Sequence, residues 1–115
     1  MGKHNKVVDF INHFFENINV YRSVLLYDDV TFKRMYGIRK KLESHNFSTH
    51  LISETTLKED YINHRMFICH VGTFEEFKIK IDIESLNVIF CLNHKIYKNV
   101  LGKTPHGDNV FLLKV

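Results

Sequence analysis

Val7, Val8, Phe10, Ile11, Phe14, Phe15 and Ile18 recur at the three- and four-residue spacing of a helix with one broad apolar face, which needs a surface to pack on. The period then changes. Ser23-Val24-Leu25-Leu26-Tyr27 is a short unbroken apolar run, the pattern of a buried strand, and Asp28-Asp29 closes it with turn-prone carboxylates. Between Thr31 and His45, Phe32, Met35, Tyr36 and Leu42 fall on one side, and Lys33, Arg34, Arg39, Lys40 and Lys41 mostly elsewhere. This predicts a helix that covers a sheet and stops at Asn46. Thr49 to Ser53 reads as a short strand, and Thr56-x-x-Glu59 has the spacing of a capping box, predicting a short helix to about His64. Met66 to Val71, Val88 to Leu92 and Val110 to Val115 are further apolar strands, with a helical segment from Lys95 to Leu101 before the last. One stretch carries two signals: Thr73-x-x-Glu76 has capping-box spacing, while Phe77, Ile79, Ile81 and Ile83 alternate with Lys78, Lys80 and Asp82 as in a half-buried strand. It is expected to be a loop or short helix running into an extended segment.

Alternation of strands and helices implies parallel pairing, because parallel strands need crossovers and those crossovers are usually helices. The expected fold is a single three-layer α/β domain with a mainly parallel sheet of about five or six strands flanked by helices. A length of 115 residues suits one such domain, and a 44% hydrophobic content with 10 Phe and 5 Tyr excludes global disorder. No apolar run approaches the roughly 18 to 20 residues of a membrane span, and Met1 to Lys6 is polar, so no membrane partner or secretory leader is expected. The expected location is intracellular, in nucleus or cytoplasm. The 16 basic and 13 acidic residues leave a net charge of +3, which is compatible with nucleic acid without requiring it. Cys69 and Cys91 both lie in apolar runs, the setting of small buried thiols and not of a disulfide framework.

Taken in order, several segments resemble the second, C-terminal RecA-like domain of DEAD-box RNA helicases, nearest to the branch that serves mRNA splicing and export. Lys6-Val7-Val8-Asp9-Phe10 is similar to the entry helix of that domain, Ser23 to Tyr27 to its first strand, and His45-Asn46-Phe47 to the turn after its first covering helix. Ile81-Asp82-Ile83-Glu84-Ser85-Leu86-Asn87-Val88-Ile89 resembles the family phrase G-[IMV]-D-I-x-x-[VL]-x-x-V-[IA] at the end of the fifth motif. Tyr97-x-x-x-x-Gly102-Lys103-Thr104-Pro105-His106-Gly107 tracks the sixth motif, Y-x-H-R-x-[GA]-R-x-G-R-x-G. The resemblance covers nearly the whole chain, 1–115, ends at the last core strand of the family, and omits the helix that usually follows, so one sheet face is expected to be partly bare.

The resemblance implies a nucleotide site at Asp82, Lys103 and His106, and RNA backbone contacts at Thr31, Gly72 and Thr73. Each position has a second reading: Asp82 as a solvated carboxylate opening a strand, Lys103 and His106 as parts of a loop shaped by Gly102, Pro105 and Gly107, and Thr31 and Thr73 as helix caps. Lys103 and His106 stand where the family has arginines. A lysine is a point charge and a histidine is largely neutral at pH 7, so neither reproduces the bidentate phosphate fork. The chain also lacks a G-x-x-x-x-G-K-[ST] loop and an Asp-Glu-Ala-Asp sequence. It is therefore not expected to hydrolyse ATP alone. ATP or ADP would bind only with a partner, an N-terminal RecA-like domain or helicase-associated protein, and RNA weakly through its backbone.

Other classes compete. Lys33, Arg34, Arg39, Lys40 and Lys41 form a basic helix face that either lies along a polyanion or is merely solvated. Cys69-His70 and Cys91-x-x-His94 end two strands that would be neighbours in a metal site, but match no strong zinc spacing, and no metal is expected. Asp28-Asp29 after the first strand resembles the acidic pair of a signalling receiver, although Cys69-His70 stands where the phospho-acceptor is wanted. A ligand-free α/β protein-interaction module is the remaining alternative.

Overall fold

A computed structural model of the chain describes residues 5–17, 23–52, 66–80, 88–103 and 110–113. In chain order the elements are α1 (Asn5–Asn17), β1 (Ser23–Tyr27), α2 (Phe32–Ser44), β2 (Thr49–Leu51), β3 (Met66–His70), α3 (Val71–Lys80), β4 (Val88–Cys91), α4 (His94–Lys103) and β5 (Val110–Leu112). The five strands form one sheet in the order β2-β3-β1-β4-β5, and every neighbouring pair is parallel. Leu26 is in register with Cys69 on one side and Cys91 on the other, so β1 is the central strand.

The sheet is buried on both faces, which is why its strands are apolar throughout instead of alternating. One layer packs Val7, Val8 and Ile11 of α1 and Met35, Ile38 and Leu42 of α2 on Leu25, Tyr27, Met66, Ile68, Val88 and Phe90. The opposite layer packs Phe74 of α3 and Ile96 and Val100 of α4 on Val24, Leu26, Phe67, Cys69, Ile89 and Cys91. Chain direction explains the division. The crossover from β1 to β2 runs one way across the sheet, and those from β3 to β4 and β4 to β5 run the other, so crossovers of one hand place α2 opposite α3 and α4.

Local chemistry sets the helix ends. Asn46 adopts a left-handed backbone, φ 63°. Its N–H donates to the Glu43 carbonyl at 3.0 Å and that of Phe47 to the Leu42 carbonyl at 3.0 Å, a Schellman closure in which buried Phe47 accompanies buried Leu42. The predicted stop at Asn46 thus has a mechanism. Three expectations are corrected. The passage from Thr73 is neither loop nor strand: α3 follows β3 without a break and runs through Phe77 and Ile79 to Lys80, its Phe74 buried against the sheet and Val71 packed beside it. Alternation over so few residues fits a helix too, and the spacing of Val71 and Phe74 places both toward the sheet. Phe32 and Tyr36 do not join the buried side of α2 with Met35 and Leu42, because a helix turned to bury Met35, Ile38 and Leu42 carries positions 32 and 36 outward. Finally, the strands ending at Cys69-His70 and Cys91 are not neighbours, since β1 lies between them. The segment with Thr56-x-x-Glu59 lies outside the described residues.

Candidate functional site

The strand order places a change of direction at β1: the chain leaves β1 toward one face and leaves β3 and β4 toward the other. The crevice beyond the carboxyl ends of these strands is where open α/β sheets take ligands. Three junctions meet there: Asp28 to Thr31 after β1, His70 to Thr73 after β3, and Leu92-Asn93 after β4.

The first junction closes on itself. The Thr31 N–H donates to Asp28 Oδ1 at 2.9 Å, the Asp28 N–H donates to Thr31 Oγ1 at 2.9 Å, and the Thr31 hydroxyl donates to Asp28 Oδ1 at 2.8 Å. Thr31 occupies the N-cap position of α2, but its side chain turns back to Asp28 and caps no α2 N–H. Asp28 Oδ2 accepts from Asn93 Nδ2 at 2.9 Å, and Asn93 Oδ1 accepts from the Ile96 N–H at 2.8 Å, so Asn93 both caps α4 and ties the β4 junction to the β1 junction. Burial pushes the Asp28 carboxyl upward, but hydrogen bonds from Asn93, from Thr31 and from the Val30 backbone outweigh it and hold Asp28 below the ordinary aspartate range.

The second junction is tied by the next carboxylate. His70 Nε2 lies 2.9 Å from Asp29 Oδ1, and His70 Nδ1 accepts the Gly72 N–H at 2.9 Å. An accepting Nδ1 leaves Nε2 as the protonated nitrogen, so this arrangement is that of a neutral imidazole donating to Asp29. His70 is the residue before α3 and Gly72 the second within it, so the imidazole performs the N-cap task usually given to Ser, Thr, Asp or Asn. A Cβ at Gly72 would stand 3.1 Å from Nδ1, so glycine lets the ring approach its backbone. The Thr73 hydroxyl donates to the His70 carbonyl at 3.1 Å, and Thr73 is the third residue of α3, not its cap. The Tyr27 ring meets His70 edge to face at 5.2 Å, and burial, with the charges of Cys69 and Asp29, raises its phenol pKa.

Arg34 completes the edge from above. It reaches from α2 over the strand ends, Nη1 donating to the Leu92 carbonyl at 2.5 Å and Nη2 to the Leu113 carbonyl at 2.7 Å, and burial lowers its pKa. The expected basic face of α2 is therefore not one surface. Arg34 binds backbone, Arg39 pairs with Glu43 at 3.3 Å, Lys41 is half-buried, and Lys33 and Lys40 are exposed.

Of the six predicted site residues, Thr31, Gly72 and Thr73 come together at this edge, but their hydroxyls and the Gly72 N–H all bond within the chain. Lys103 is the last residue of α4, and Asp82 and His106 lie outside the described residues. The two thiols sit within strands, and burial pushes Cys69 up to about 11 and Cys91 up to about 12, so both are protonated and poor nucleophiles at neutral pH. Among the described residues no group of three His, Cys, Asp or Glu side chains is placed to hold a metal ion. The strand order also differs from the 2-1-3-4-5 of receiver domains, and Asp28, the first of the acidic pair, is engaged by Thr31 and Asn93. Sequence reading missed His70 and Asn93 as caps. Asn93 was legible, as an N-cap type three residues before buried Ile96. His70 was not, since histidine has no such preference. No helix of the described residues is long and apolar enough to cross a membrane. No protein-family model matches this sequence, and no curated protein matches it significantly.

Proposed function

We propose that the chain is a non-catalytic RNA-contacting domain of the type that forms the second half of a DEAD-box-like helicase, acting against a partner RecA-like domain. The observation that supports this reading best is the placement of Thr31, Gly72 and Thr73. These residues, which the resemblance assigns to RNA, sit at the carboxyl ends of β1 and β3, beside the switch of chain direction. Binding fits this edge better than turnover, because Asp28 is saturated by internal hydrogen bonds and both thiols are held protonated. Any nucleotide contact rests on the resemblance alone, at Asp82, Lys103 and His106, and needs the partner domain.

The test is fluorescence anisotropy of the full chain with a labelled single-stranded RNA at two salt concentrations. Affinity that falls as salt rises reports phosphate contacts. Thr73→Val and Gly72→Ala, the latter displacing the His70 ring, should each weaken it. No salt-sensitive binding would sink this reading in favour of a protein-interaction module.

A further inference from the structure

Two aromatic side chains on α2 are exposed without any demand from the core. Phe32 and Tyr36, one helical turn apart, are each 51% exposed, and Val30 in the preceding junction is 88% exposed. Elsewhere the sheet-facing helices bury their large apolar residues completely, as Met35, Ile38 and Leu42 of the same helix do. The exposed rings are bordered by cations. Lys33 and Lys40 are exposed, and Lys40 Nζ lies 5.5 Å from the centre of the Tyr36 ring. Across the whole helix five basic residues face a single acid, Glu43, which Arg39 already neutralises. The Phe32 ring leans edge to face on Tyr27 at 6.0 Å, and Tyr27 leans in turn on His70, so the patch adjoins the strand-end crevice.

From these observations we infer that the outer face of α2 is a stacking platform for single-stranded nucleic acid, with bases on Phe32 and Tyr36 and phosphates on Lys33 and Lys40. This deepens the RNA-binding reading and rests on it only in taking a polynucleotide as ligand. The chemistry chooses the occupant. Flat rings at half exposure offer faces to bases of any identity, interleaved ammonium groups meet the sugar-phosphate chain between them, and such surfaces bind strands with little sequence preference. A purely apolar protein partner would leave Lys33 and Lys40 to be desolvated without a counter-charge.

The experiment uses the full chain, a labelled single-stranded RNA and an abasic strand of the same length. The Phe32→Leu/Tyr36→Leu double variant keeps apolar bulk over Tyr27 but removes both π-faces, and Tyr36→Leu alone spares the Phe32 contact should the double variant fold poorly, as circular dichroism will show. Loss of affinity for the RNA of about tenfold per ring, with no loss for the abasic strand, is the expected result. Lys33→Gln and Lys40→Gln should each lower the salt slope by about 0.7. RNA affinity unchanged in the double variant overturns the platform. If Thr73→Val still weakens binding in that case, the strand-end reading survives alone, whereas no RNA binding by the unaltered chain removes both. Self-association of the unaltered chain in sedimentation, lost in the double variant while RNA affinity stays constant, would assign the face to a second copy and overturn the proposal equally.

Discussion

The carboxyl edge of the sheet and the outer face of α2 lie next to each other and are built on opposite rules. At the edge, Asp28, Thr31, His70, Gly72, Thr73, Asn93 and Arg34 all hydrogen-bond within the chain, and the two adjacent aspartates each hold the capping residue of a neighbouring helix. On α2, Phe32, Tyr36, Lys33 and Lys40 face solvent. Polar groups so thoroughly paired explain how three junctions from both faces are locked together. Exposed rings explain nothing about the fold. The edge should therefore answer mutation through stability and the helix face through binding.

Arg34→Met breaks the comparison hardest. It keeps the stem but strips the guanidinium from the Leu92 and Leu113 carbonyls, where hydrogen bonds to a charged group contribute about 1.5–3 kcal/mol each. Urea unfolding should show a loss of about 3 kcal/mol, and a loss below about 0.5 kcal/mol would mean that water replaces Arg34 without cost.

The pair of Asp28 and Asn93 comes next. Asp28→Ala should cost about 1–3 kcal/mol by leaving Thr31 and Asn93 unpaired, and Asn93→Ala about 1 kcal/mol through the lost α4 cap, with a coupling of about 0.5 kcal/mol or more in the double-mutant cycle. The acid limb of stability follows from the direction of the Asp28 shift. The folded state lowers its pKa, so it favours the anion. That contribution is complete above the unfolded aspartate value of about 4 and disappears as pH falls through the lower folded value. Asp28→Asn should flatten this limb, and an unchanged acid limb would deny Asp28 the role.

The smallest stability effect belongs to the other surface. Phe32→Leu/Tyr36→Leu should move the unfolding free energy by less than about 1 kcal/mol, because both side chains are half in water already. A much larger loss would show that the rings are structural after all and dissolve the contrast with the edge.

The local signals explain which parts of this architecture were legible in advance. Ser23 to Tyr27, Met66 to His70 and Val88 to Cys91 announced themselves as buried strands because apolar runs of that length leave no polar face to expose, and the αL stop at Asn46 is a property of its own residue type. Alternation of such strands with amphipathic helices was enough for a parallel α/β sheet. The order of the strands was not in the pattern, since nothing local says that β3 pairs with β1 and pushes β2 to the edge.

The candidate site divides the same way. That Asp28, Thr31, His70 and Asn93 follow strands is written in the chain, but their meeting depends on which strands adjoin, and only the folded sheet brings positions 28 and 93 within hydrogen-bonding distance. Likewise the helical period of α2 separates two groups of residues without saying which is buried. Ile38 between Met35 and Leu42 turned that face inward once the sheet was in place, leaving Phe32 and Tyr36 outside. The sequence by itself determined the elements and their class through local periodicity. The tertiary structure alone decided partners and exposure, because those are set by contacts between residues far apart in the chain.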